Sequence, residues 1–138
     1  MKAMTYDWGI DAYDVEAYLK AIDVPREEPS RDYLTRLYRG HVSTLAFSSV
    51  NVLLGDHPGV DPATVFDQLV RNRRGGYCLE HVQLFAGILE RLGFHVKRHF
   101  GRVWSIEGAR THFSAVVVID GRRYHCDPGF GFGSFTPV

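Results

Sequence analysis

Apolar residues in the first two-thirds of the chain recur at helical spacing. Val15, Tyr18, Leu19 and Ile22 follow Asp14, a side chain suited to capping, and Pro25 stops the run. Ser30 stands before Tyr33, Leu34, Leu37, Tyr38 and Val42, which predict a second helix at i, i+3, i+4 spacing. Asp61-Pro62 is a cap followed by proline at the first helical position, with Val65, Phe66, Leu69 and Val70 as the stripe behind it. A fourth helix opens near Cys78, carries Leu79, Val82, Leu84, Phe85, Ile88, Leu89 and Leu92, and ends at Gly93. Between the second and third helices, Phe47 to Leu54 reads as an irregular apolar segment closed by Gly55-Asp56-His57-Pro58-Gly59.

After Gly93 the period changes. Phe94 to Trp104 and Phe113 to Ile119 predict strands. Asp120-Gly121 signals a two-residue hairpin that returns through Arg122 to Asp127. The pattern is α+β, with a boundary near residues 93–98: a helical bundle over 1–95 and an incomplete β-barrel domain over 96–138. The tail from Gly129 to Val138 carries no helix or cap, so few strands are left to close a core. The sheet is expected to have exposed edges that favour self-association, as in a chain cut short or one that pairs with another.

The hairpin makes a geometric prediction. If Asp120-Gly121 is the whole loop, Ile119 pairs with Arg122, Ser114 opposes Asp127 and His112 opposes Gly129. Side chains alternate along a strand, so His112, Ser114 and Asp127 share one face. His112 and Asp127 become diagonal neighbours, about 7–8 Å apart at the backbone. A carboxylate there would hold the imidazole N–H and set its tautomer. Cys126 falls on the opposite face with Phe113, Ala115, Val117 and Ile119, as a core thiol.

Composition narrows the partners. The 138 residues suit one domain, and 45% hydrophobic content supports a packed core. Lys+Arg and Asp+Glu balance at 16 each, which gives no basic face for nucleic acid or a membrane surface. No apolar run reaches the roughly 18 residues of a membrane span. The start, Met1 to Asp7, lacks the apolar stretch of a signal peptide, so the expected location is cytoplasmic and the two cysteines are expected to be free thiols.

The chemistry gathers at Cys78. It follows Arg74-Gly75-Gly76-Tyr77 and opens a helix, where unpaired N–H groups and the helix dipole favour thiolate. With His112 and Asp127 it supplies the parts of an activated-nucleophile triad. Gly75 and Gly76 are expected to allow positive φ or close backbone approach. Arg74 is expected to pair with Glu80 and hold the loop, and Tyr77 either lines a pocket or packs in the core. A zinc alternative, Cys78-x-x-His81 with His125-Cys126, is disfavoured because adjacent strand residues point to opposite faces.

The segment Arg74-Gly75-Gly76-Tyr77-Cys78-Leu79-Glu80 resembles the RGGxCxE signature of the arylamine N-acetyltransferases. The likeness continues through Asn51 to Gly55, Leu92-Gly93-Phe94, Arg102-Val103, Thr111-His112 and Asp127-Pro128-Gly129-Phe130-Gly131. It implies a triad of Cys78, His112 and Asp127, with Arg74, Gly75, Gly76, Tyr77, Gly129 and Phe130 binding substrate or positioning loops. It also implies a cysteine-protease-like arrangement, acetyl-CoA as acyl donor without a metal, and ping-pong transfer to an aromatic amine or hydrazine, the chemistry of xenobiotic metabolism. The chain departs from the family at Ala46-Phe47-Ser48-Ser49, where Pro-Phe-Glu-Asn is usual, and at Pro128, where valine is usual. Family members continue through the rest of a barrel and a C-terminal lid domain, which is expected to be absent here. Other readings are a carrier-dependent amide synthase, a thiol peptidase, and an inactive remnant with a binding role.

Overall fold

The computed structural model describes residues 6–130 and 134–138. Met1 to Thr5, and Gly131 of the last resembling motif with the two residues after it, lie outside the described residues.

Helix α1 (Val15–Ile22) starts where Asp14 accepts the Ala17 N–H, and it ends at Asp23, in the left-handed region, before Pro25 is reached. Helix α2 (Arg31–Thr44) is capped by Ser30, whose side chain accepts the Tyr33 N–H. The irregular apolar segment contains one helical turn, α3 (Val50–Leu53), with Leu53 and Leu54 facing outward. Helix α4 (Pro62–Phe66) is capped by Asp61 and then widens into an i→i+5 turn over Asp67–Arg71. The expected stripe Val65, Phe66, Leu69 and Val70 is buried across both windings. Helix α5 (Cys78–Arg91) is the central element, and Gly93 (φ +94°) follows it.

Strands β1 (His95–Gly101), β2 (His112–Ile119) and β3 (Arg122–Cys126) form an antiparallel sheet in the order β1-β2-β3. Phe113, Ala115, Val117 and Cys126 are buried on the face towards α5. Cys126 is therefore a core thiol, and burial pushes its pKa up to about 12. Arg98 on β1 grips Glu90 of α5 through two bonds, 2.7 and 2.9 Å, and lies 4.4 Å from the Trp8 ring centroid.

The hairpin has the expected register: Ile119 opposes Arg122 and Ala115 opposes Cys126. Asp120 (φ +50°) and Gly121 (φ +74°) supply the two left-handed residues such a loop needs. The first strand is shorter than its sequence predicts. It stops at Gly101, because Arg102 turns back to donate to the Gly108 carbonyl at 2.6 Å and Trp104 takes φ +72°, which no strand residue adopts. Among the described residues, the outer side of β3 is met where His125 and Val138 exchange backbone hydrogen bonds.

Candidate active site

Cys78 is placed by a loop with little freedom. Gly76 donates its N–H to the Ala46 carbonyl at 3.2 Å, and its own carbonyl accepts the Ser48 N–H at 2.7 Å. Gly75 has φ +76°, and a β-carbon there would lie 2.7 Å from Ala46 O. A β-carbon on Gly76 would lie 2.7 Å from Glu80 Oε2. Gly75 is thus required both by its φ and by close approach to backbone, while at Gly76 the crowding comes from the Glu80 side chain. The buried Gln68 amide holds the Gly75 carbonyl at 2.8 Å, a tether with no local signature in the sequence.

Glu80 does not pair with Arg74. One carboxylate oxygen accepts the Tyr77 N–H at 2.9 Å, and the other lies 3.1 Å from His57 Nε2 without hydrogen-bond alignment. The loop between α3 and α4 brings His57 to the place expected for arginine. Arg74 instead borders a polar cleft of about 310 Å³ with Asn51, Asp56 and Gln68. Tyr77 is half-buried, edge-on to His57 with centroids 5.4 Å apart.

His112 and Asp127 meet as the hairpin geometry requires. The imidazole Nε2–H donates to Asp127 Oδ2 at 2.6 Å, which leaves Nδ1 without its proton. Phe130 stands edge-on to the His112 ring, centroids 5.0 Å apart. Tyr38 of α2 rests against the Asp127 backbone, and burial raises its hydroxyl pKa to about 12. That contact crosses the molecule and was not foreseen.

Cys78 meets β2 at Phe113 and the segment after β3 at Gly129. Its thiol faces the backbone N–H groups of Phe113 and Leu79. Gly129 presses on it so closely that a β-carbon would lie 2.6 Å from Cys78 Cα and 2.8 Å from its carbonyl oxygen. The expected preference for thiolate is not met by position alone. Burial raises the thiol pKa, and the nearby Asp127 charge adds to this against the pull of backbone N–H groups at Phe113, Leu79 and Cys78 itself. An open cleft of about 550 Å³ adjoins the cluster, lined by His112, Asp127, Phe130, Ser114, Trp104 and neighbouring residues.

A buried chain of polar side chains beneath this loop carries no local signature in the sequence. Tyr18 O–H donates to His41 Nδ1 at 2.9 Å, His41 Nε2 lies 2.9 Å from His81 Nδ1, and His81 Nε2 lies 3.0 Å from Ala46 O. Both nitrogens of His81 are thus occupied, which takes it out of the zinc arrangement considered with Cys78.

Fold and site together define an α+β protein in which a histidine–aspartate pair lies on the sheet side and a half-buried cysteine meets Phe113 and Gly129 at the junction with the helix. The sequence model of the N-acetyltransferase family matches residues 31–138, and the chain belongs to that family. It is 33% identical over 125 residues to arylamine N-acetyltransferase 1 of Homo sapiens, covering 86% of this chain and 43% of that protein. The arylamine N-acetyltransferase of Mycobacterium abscessus superposes with a TM-score of 0.89 at 33% identity, covering 100% of this chain and 50% of that one. The Mycobacterium marinum enzyme solved in complex with CoA gives a TM-score of 0.83 at 32% identity, covering 91% and 50%. The chain spans about half the length of the curated relatives it matches. Among the described residues, no helix is long and apolar enough to cross a membrane.

Proposed function

We propose that this chain carries the acyl-transfer centre of an arylamine N-acetyltransferase, with Cys78 as nucleophile, His112 as base and Asp127 as the carboxylate that orients it. The observation that carries the reading is the 2.6 Å His112–Asp127 bond, formed between the start of β2 and the residue after β3, with Phe113 and Gly129 beside them meeting Cys78. In this reading residues 1–95 supply the nucleophile and residues 96–138 the base and its carboxylate, in a cysteine-protease-like arrangement. Two relationships support the donor and acceptor: relatives named arylamine N-acetyltransferases, and a neighbour solved with CoA.

The reaction runs in two halves. His112 Nδ1 takes the Cys78 proton, and the thiolate attacks the thioester carbonyl of acetyl-CoA. The Phe113 and Leu79 N–H groups stabilise negative charge at this position. The C–S bond to CoA breaks, and the CoA thiolate leaves with the proton from His112. A neutral aromatic amine or hydrazine then attacks acetyl-Cys78. His112 accepts the amine proton, the C–S bond to Cys78 breaks, and the thiol is restored. Asp127 keeps Nε2 protonated throughout and offsets the imidazolium charge.

Intact mass after incubation with acetyl-CoA tests this. One acetyl group is expected on the parent and none on Cys78→Ser, and an aromatic amine or hydrazine should discharge it. Acetylation that survives in Cys78→Ser rules the nucleophile out. Loading from a carrier-bound acyl thioester and not from acetyl-CoA would instead favour the amide-synthase chemistry.

A further inference from the structure

The chain Tyr18–His41–His81–Ala46 lies outside the cysteine–histidine–aspartate cluster, yet it ends on the loop that carries Cys78. Tyr18 and His41 have no exposed surface and His81 has 1%. A carbonyl only accepts, so the Ala46 oxygen requires a proton on His81 Nε2. His81 Nδ1 must then accept from His41 Nε2–H, and His41 Nδ1 must accept from the Tyr18 hydroxyl. One assignment satisfies every group, with both imidazoles neutral and every donor pointing the same way. Burial lowers both histidine pKa values, which agrees with neutral rings.

The end point decides what the chain does. It stops at a carbonyl, so it passes no proton to Cys78. The Ala46 oxygen also accepts Gly76 N–H, two residues before Cys78, and Ser48 N–H closes on the Gly76 carbonyl. Phe47 lies flat against the His81 ring, centroids 6.4 Å apart at 15°. Helices α1, α2 and α5 are thereby connected to the one backbone strip on which the Cys78 loop hangs.

We propose that Tyr18, His41 and His81 are positioning residues for Cys78, holding the Ala46–Ser48 strip so that the Gly76–Cys78 turn is presented to His112. This rests on the reading of Cys78 as nucleophile, but its test needs neither acetyl-CoA nor an acceptor amine.

Nitrogen-15 spectra of the 138-residue chain at neutral pH come first. Both buried rings are expected as the Nε2–H tautomer, and a Nδ1–H tautomer or an imidazolium at either ring would overturn the proposal. Three variants follow: Tyr18→Phe, which removes one hydroxyl and keeps the ring; His81→Leu, which removes both bonds; and His81→Gln, whose amide restores a donor toward Ala46. Two quantities are read in each: hydrogen exchange at the Gly76 amide, and the pH profile of Cys78 alkylation by iodoacetamide. Exchange at Gly76 should accelerate at least tenfold in His81→Leu and less in Tyr18→Phe. The alkylation profile of His81→Leu should move toward that of a free thiol, near pH 8.5, with His81→Gln recovering toward the parent. If Tyr18→Phe and every folded His81 variant keep the parent's Gly76 exchange and alkylation profile, the chain is packing alone.

Discussion

A β-carbon at position 129 would stand 2.6 Å from Cys78 Cα, closer than packed carbons allow, so Gly129→Ala must drive the β3 exit away from α5. Acetyl loading of Cys78 should fall by one to two orders of magnitude, since misplacement of about 1 Å costs roughly a hundredfold, while the far-ultraviolet spectrum is kept. Loading at the parental rate would show that the contact does not position the thiol. The buried histidines make a second prediction. Both titrate below the ordinary 6.5 in the folded chain, so below that value the unfolded chain binds more protons than the folded one. Stability is therefore full at neutral pH and falls as pH drops. Each ring contributes up to about 1.4 kcal/mol per pH unit between the unfolded value and its own lower one. Urea titrations at pH 7, 6 and 5 should show a falling midpoint; a constant one would mean that the rings protonate in place.

Helix α5 meets the Ile10–Ala12 turn and Tyr13 through Gly87, where a β-carbon would clash with the Tyr13 ring. Alanine is the better helix former, yet Gly87→Ala should destabilise by about 1–3 kcal/mol, because overpacking outweighs the roughly 1 kcal/mol propensity gain. Thermal or urea unfolding reads the sign directly, and a more stable variant would show that Tyr13 yields without cost. Ser30→Ala should cost about 1 kcal/mol by removing the α2 cap, measured in the same way. These elements also show what the chain discloses of itself. Asp14, Ser30 and Asp61 were readable as caps because each bonds a backbone N–H three residues on. The hairpin was readable because Asp120-Gly121 sets its own register, and that register brought His112 to Asp127. Longer-range contacts left no such mark. Tyr18 finds His41 at a separation of 23 residues and His41 finds His81 at 40, so nothing local marks them as a chain. Glu80 lay within reach of Arg74 on paper, and only the tertiary fold put His57 there first. The thiolate expectation for Cys78 weighed the helix start but not the sheet that buries the sulfur.

At the scale of the molecule, the sheet's two margins differ. β3 is met by Val138 at His125, whereas β1 has no partner strand on its outer side among the described residues. Near the Cys78 loop, Val50, Leu53 and Leu54 are 55%, 80% and 74% exposed. An open edge and exposed apolar side chains both promote association. Sedimentation velocity of the 138-residue chain should show mass rising with concentration, and a single monomeric species throughout would contradict this. The contact of Gly129 with Cys78 also sets an order of events. His112 and Asp127 are 15 residues apart and meet when one hairpin closes, an event of about 1–10 μs. Cys78 joins them only when α5 docks on that hairpin, and long-range docking is slow because a large loop must close first. During refolding the histidine–aspartate pair should thus exist before the thiol is buried against it. A stopped-flow pulse of alkylating reagent at Cys78 becomes a clock for the last step of assembly, distinct from the formation of helix or sheet.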